Sequence, residues 1–117
     1  MDFPKQELEF FDPAGLPWQE VPGFAGLEQK VLAGDPAGAD LSRLVRVAAG
    51  SDHEGTLVHD FWEEIWVVQG RFQDKRTGEV YGAGMFACHP PGMAHGPFRY
   101  LEDCVLFEVR YTNPHRT

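Results

Sequence analysis

The sequence is poor in several features that would each indicate a particular class of protein. It has two cysteines in 117 residues, too few for a disulfide-rich scaffold, so we expect Cys88 and Cys104 to be reduced thiols. No apolar run approaches the ~18 residues of a membrane-spanning helix, and the first eleven residues carry charges where a signal peptide would be apolar. We therefore expect a cytoplasmic protein that does not contact a membrane.

Basic residues are scarce as well. Ten Lys and Arg stand against eighteen Asp and Glu, which gives a formal net charge of -8 at pH 7. A negative surface repels phosphate backbones instead of attracting them. Nucleic acid is therefore not an expected partner.

Helical periodicity is also missing, whereas the material for strands and turns is plentiful. Thirteen Gly and nine Pro punctuate a chain that is 43% hydrophobic. About nine short strands at this spacing are typical of a sandwich or a barrel-like double sheet. The clearest predicted strands are 27–32, 41–47, 56–60, 63–68, 71–74, 79–81, 85–89 and 104–111. The predicted fold class is all-β.

The predicted organisation is one domain, residues 1–117, because a chain of this length supports a single core. Residues 1–25 contain four prolines and read as an arm that wraps the barrel, residues 26–112 form the β-barrel, and residues 113–117 form a polar tail. Aromatic residues of the arm are expected to pack on a sheet within the monomer or on a second subunit. They are Phe3, Phe10, Phe11, Trp18 and Phe24.

Two strands are apolar on both faces, around 65–68 and 105–107. Such strands need cover on both sides: one face can fill the barrel, and the other must meet the N-terminal arm or a partner chain. We therefore expect a homodimer through an outer sheet face.

Two polar stretches interrupt the predicted strands: HDFWEE at 59–64 and GMFACHPPGMAH at 84–95. A sheet that folds back on itself can bring His59, Glu63 and His95 to one point. Two imidazoles and one carboxylate on one side of a divalent ion leave positions open, as in non-haem iron sites, and the same ligands suit zinc. We predict a metal site at these three residues.

The spacing of these residues resembles the two sequence motifs of the cupins. His59, Glu63 and Gly70 match the latter part of the first motif, and Gly84, Pro90, Gly92 and His95 match the second. Residues 18–111 are similar to the zinc-cupin half of ChrR-type anti-sigma factors and their free-standing relatives. The resemblance implies a double-stranded β-helix, or jelly-roll barrel, that holds a divalent ion such as Fe, Zn, Mn or Ni.

Two positions depart from the family pattern. The first motif carries another histidine where this chain has Leu57, so the usual fourth ligand is missing. Four residues after the second motif's histidine, where the family often has an asparagine, this chain has Arg99. His89 is a candidate fourth ligand or a group that contacts a ligand. Glu64 should face away from the site, because neighbouring residues of a strand point to opposite faces.

Further candidates concern the ligand pocket. Its apolar walls are expected among Leu57, Trp62, Phe98 and Phe107. A substrate carboxylate has three candidate anchors, Arg46, Arg71 and Arg99, although solvent is the default place for each. His53 is expected at the surface.

Two classes of function remain open at this point. Cupin relatives imply a small metal-dependent enzyme, of dioxygenase type, that acts on a small carbonyl or aromatic compound. The alternative is a ligand-binding or sensor cupin in which Leu57 marks a depleted metal site. A metal-independent isomerase is a third possibility, and no catalytic residue is identified.

Overall fold

A computed structural model describes residues 5–112, so Phe3 and the predicted tail 113–117 lie outside the described residues. The described chain contains eleven β-strands and one short 3-10 helix, η1. The elements are η1 (Pro13–Gly15), β1 (Gln19–Glu20), β2 (Leu27–Gly34), β3 (Leu41–Val47), β4 (Leu57–Val58), β5 (Trp62–Gln69), β6 (Arg71–Asp74), β7 (Val80–Gly82), β8 (Phe86–His89), β9 (Ala94–His95), β10 (Phe98–Tyr100) and β11 (Cys104–Tyr111).

The strands form three antiparallel sheets. The largest has the order β1-β2-β3-β11-β5-β8, and the smaller two have the orders β10-β6-β7 and β4-β9. No α-helix occurs within residues 5–112, which confirms the all-β prediction. No helix in this part of the chain is long and apolar enough to cross a membrane.

Alternation along the strands decides which side chains face the interior. In β3, Leu41, Arg43, Val45 and Val47 are buried, whereas the residues between them are less buried or exposed. The bounds of β3, β6 and β11 agree with the prediction from the sequence. The two-residue β9 and the three-residue β10 were missed, because strands so short carry no periodic signal.

The core lies between the sheets. Its buried members are Val45, Val47, Val67, Phe72, Tyr100, Cys104 and Leu106. Gly70 joins β5 to β6 with a φ of 90°, and a Cβ there would collide with the backbone of Asp103 and Cys104. Only glycine adopts this conformation without strain, which explains its place in the tight connection from the large sheet to the three-stranded sheet.

The N-terminal arm lies along the outside of β2 and β3. Lys5 Nζ donates to Ser42 Oγ at 2.9 Å, and the Trp18 ring packs between Lys30 Nζ, at 4.7 Å, and the Arg46 guanidinium, at 4.4 Å. Two arm aromatics do not pack as expected within the monomer, since Phe10 is fully exposed and Phe11 is half exposed.

The arm leaves uncovered an apolar surface on the outside of β11, β5 and β8. Trp66 pairs with Phe107 on one side and with Phe86 on the other, so the three aromatic residues form a row across the strands. Together with Val68 they make up what we call the outer apolar face, and each is at least 36% exposed.

Candidate metal centre

Two antiparallel strand pairs position the polar residues of the interior. In the β5–β8 pair Glu63 lies opposite His89, and in the β4–β9 pair Leu57 lies opposite His95. Directly opposite residues project from the same face of a sheet. His59 is the residue immediately after β4.

The sheets bring the three predicted ligands together. Donor atoms of His59, Glu63 and His95 all lie within 4.8 Å of one another, and the rings of His59 and His95 are 5.0 Å apart. Glu63 and His95 are buried and His59 is partly buried. The cluster can hold a metal ion.

The hydrogen-bonding pattern at His95 leaves one ring nitrogen available to a cation. Nδ1 of His95 lies 3.3 Å from the Met93 carbonyl oxygen, which only accepts, so Nδ1 carries the proton and Nε2 presents a lone pair. That lone pair is buried without a hydrogen-bond partner in the described chain, 3.7 Å from Oε1 of Glu63. Two buried acceptors facing each other fit a metal ion between them.

The protonation states agree with this interpretation. Burial alone would raise the pKa of Glu63, but the charge of Arg110, which also donates a hydrogen bond to the carboxylate, opposes that rise, and the pKa is lowered to about 2. Burial lowers the pKa of His59 and of His95. A carboxylate and neutral imidazoles are the forms that bind metals.

A row of buried charges continues from Glu63 across the inner face of the large sheet. Arg110, opposite Glu63 in register, donates through Nε to Oε2 at 3.0 Å. Nη2 of Arg110 lies 3.9 Å from Glu108 Oε1, and Arg43 reaches the same oxygen through Nε at 2.9 Å and Nη2 at 2.8 Å. Arg43 also donates to Gln29 Oε1 at 2.6 Å. We call Arg43, Glu108, Arg110 and Glu63 the buried charge row.

The charge row has two effects on the site. Arg110 occupies Oε2 of Glu63 and thereby leaves Oε1 for the cluster. Burial raises the pKa of Glu108, and Arg43 opposes that rise. Arg110 therefore holds Glu63 ionised and in a fixed orientation, and Arg43 compensates the charge of Glu108 beside it.

The sequence analysis did not single out Arg43, Glu108 or Arg110. The sequence feature that could have revealed them is the period-two alternation of the strands, because Arg43 shares its face of β3 with buried Leu41 and Val45. The arginines that were proposed as anchors are partly or largely exposed and pair on the surface: Arg46 with Glu28, Arg71 with Glu102 and Arg99 with Asp52.

A cavity of about 880 Å³ adjoins the cluster between the sheets. Leu57 and Phe98 lie in its wall, among other apolar side chains that include Ile65, Val67, Phe72 and Leu106. His53 also lies in the wall and packs edge-on against Phe24 and Tyr100, at 5.4 and 5.5 Å, which corrects its expected surface position.

Two predicted pocket residues lie elsewhere. Because Glu63 points inward, Trp62 points outward, where it stacks on Tyr111 at 6.3 Å. Because Glu108 points inward, Phe107 belongs to the outer apolar face. The prediction that Trp62 and Phe107 line the pocket was therefore wrong.

The remaining predicted residues lie beside the cluster. Nδ1 of His89 is 3.9 Å from Oε1 of Glu63, and the His89 ring stacks on His95 at 4.4 Å. Glu64 faces outward, as expected, and its neighbouring carboxylate raises the pKa of Tyr111 to about 12.

Comparison with protein families identifies this arrangement. The model of the ChrR cupin-like domain matches residues 6–112. The chain belongs to the ChrR cupin-like family. No curated protein matches the sequence closely enough to add to this assignment.

Solved structures agree with the cupin assignment. An RmlC-like cupin from Shewanella frigidimarina has a TM-score of 0.73 at 17% identity, over 97% of this chain and 97% of that one. The anti-sigma factor ChrR of Rhodobacter sphaeroides, in complex with SigE, has a TM-score of 0.64 at 23% identity, over 84% of this chain and 50% of the matched chain. These similarities confirm the predicted cupin jelly-roll fold.

An enzyme is among the similar structures. The acetylacetone dioxygenase of Acinetobacter johnsonii has a TM-score of 0.66 at 14% identity, over 94% of this chain and 80% of that one. At this identity the likeness concerns the fold alone.

Proposed function

We propose that this cupin binds one divalent metal ion through His59, Glu63 and His95 and acts on a small organic molecule as a dioxygenase-like enzyme. The observation that carries the proposal is the pair of buried acceptors, His95 Nε2 and Glu63 Oε1, which face each other 3.7 Å apart. A donor set of two imidazoles and one carboxylate favours non-haem iron among the candidates Fe, Zn, Mn and Ni.

The bound ion and the residues around the donor set would have different roles. A bound ion of this kind would supply Lewis acidity, open coordination positions and, as iron, redox chemistry with dioxygen. Arg110 holds Glu63 ionised and oriented. The apolar wall that includes Leu57 and Phe98 keeps water from the reacting molecule and binds its carbon skeleton.

The cavity supports a class of substrate. Its wall is mainly apolar, and its polar groups include the donor set and members of the charge row. A small apolar molecule with one carbonyl or phenolic oxygen directed at the metal fits that distribution. A β-diketone meets this description, and a structure similar in fold is named an acetylacetone dioxygenase.

Oxygen uptake tests the enzymatic role. Protein loaded with Fe²⁺ is mixed in turn with small β-diketones and small phenols, and dissolved oxygen is recorded. We expect substrate-dependent uptake by at least one compound, and none with Glu63→Gln, which keeps the size of the side chain but loses the charge.

The second function rests on Leu57, which stands where the family motif has a histidine. A binding or sensor cupin would show saturable binding of such a compound by calorimetry without any oxygen uptake. Conversion of such a compound without oxygen uptake, by protein from which all metal has been removed, would instead favour a metal-independent isomerase and would contradict the dioxygenase proposal.

We also propose a homodimer in a reducing compartment such as the cytoplasm. The outer apolar face is a continuous row of large side chains, and a second copy would bury it with the same face in a two-fold arrangement. Both cysteines are free, as a reducing compartment would keep them.

A further inference from the structure

We infer that His89 on β8 is a fourth metal ligand, which replaces the histidine that the family motif has at residue 57 on β4. The inference rests on the proposed metal centre and deepens it. The chain has lost the ligand beside His95 and has gained one beside Glu63, so the donor set becomes three histidines and one glutamate.

Unpartnered polar atoms point to His89. Among residues 5–112, only two buried side-chain nitrogen or oxygen atoms have no hydrogen-bond partner, Nδ1 of His89 and Nε2 of His95. Buried polar atoms in native proteins nearly always have a partner, so each exception needs an explanation. One ion that binds both nitrogens explains both exceptions.

The distances agree with coordination better than with a hydrogen bond. Nδ1 of His89 lies 3.9 Å and Nε2 of His95 lies 3.7 Å from the same oxygen, Oε1 of Glu63. These lengths exceed the ~2.7–3.2 Å of a hydrogen bond. An ion about 2.0–2.2 Å from each ligand atom bridges atoms up to about 4 Å apart.

The backbone explains why residue 89 takes this role. The β5–β8 register sets His89 directly opposite Glu63, so the two side chains project from the same face of the sheet. Leu57, opposite His95, then leaves an apolar surface beside the site instead of a ligand. The relocation thus keeps four protein ligands and opens the Leu57 side to the cavity.

A rescue experiment tests the inference with Zn²⁺ alone. The affinity for Zn²⁺ is measured by competition with a chromophoric chelator in the wild type, His89→Ala, Leu57→His and the double variant. We expect His89→Ala to weaken binding by more than about 100-fold, the upper end of what loss of a group outside the ligand set costs. The double variant should regain most of that loss, and Leu57→His alone should change the affinity little.

The outcomes separate this inference from the proposed function. Wild-type protein that binds no Zn²⁺ overturns the metal centre itself. A wild type that binds, beside a His89→Ala variant that binds equally well or is not rescued by Leu57→His, overturns only the role of His89. X-ray absorption of the Zn²⁺-loaded wild type gives a reading that needs no variant to fold: three imidazole ligands support the inference and two contradict it.

Discussion

Replacement of Arg43 by methionine is expected to destabilise the metal-free protein by about 3–5 kcal/mol, the usual cost of leaving one member of a buried ion pair without its partner. Arg43 holds Oε1 of Glu108 through two nitrogens, at 2.9 and 2.8 Å, and both side chains are less than 10% exposed. After the replacement the nearest described cation would be Arg110, whose Nη2 lies 3.9 Å from that oxygen. Glu108 would therefore be buried with little compensation.

The double variant Arg43→Met/Glu108→Leu isolates the charge term. It replaces both charges with apolar groups of similar size, which in buried pairs is often nearly neutral. We expect it to regain at least about 2 kcal/mol relative to Arg43→Met. Urea unfolding followed by tryptophan fluorescence gives the free energy of unfolding for each protein.

Arg46→Met is the matched control on the same strand. Arg46 pairs with Glu28 on the surface, where its side chain is 46% exposed, so its loss should cost no more than about 1 kcal/mol. Equal costs for Arg43→Met and Arg46→Met, or a double variant no more stable than Arg43→Met, would refute the account of the buried charge row.

Other predictions concern the histidines, the outer face and the thiols. Burial lowers the pKa of His59 and His95 below 6.5, so as the pH falls the unfolded chain takes up protons before the folded protein does. The urea midpoint of the metal-free protein should therefore stay level above about pH 6.5 and fall below that pH. A midpoint that rises below about pH 6.5 would contradict this expectation. Sedimentation should give about twice the 13.1 kDa of the chain, and Trp66→Lys should give the monomer; a wild type that sediments as a monomer at tens of micromolar rejects the dimer. A thiol reagent should modify exposed Cys88 first and Cys104 only on unfolding, because burial raises the pKa of Cys104 to about 11; rapid reaction of both thiols would speak against the buried position.

The contrast between correct and wrong predictions has a physical basis. The spacing of His59, Glu63 and His95 was sufficient to predict that they converge, because motif spacing reflects strand and turn lengths that the fold preserves. Trp62 and Phe107 were misplaced because an apolar side chain suits a pocket wall and an outer sheet face equally well.

The buried charge row could not be predicted from the sequence. An arginine such as Arg43 reads as a surface residue unless the face of its strand is known, and that face depends on register with distant strands. Its partner Glu108 lies 65 residues away in sequence. Composition and local spacing therefore do not identify the pair.

Elemental analysis tests the metal centre most directly. The protein is purified without chelators or metal-affinity steps, beside His59→Ala, Glu63→Ala and His95→Ala, and circular dichroism confirms that each variant keeps its β-structure. The account predicts close to one divalent transition metal ion per wild-type chain and a severe loss in all three variants. A wild type without metal that also fails to take up added Fe²⁺ or Zn²⁺, or unchanged metal content in all three variants, would contradict it.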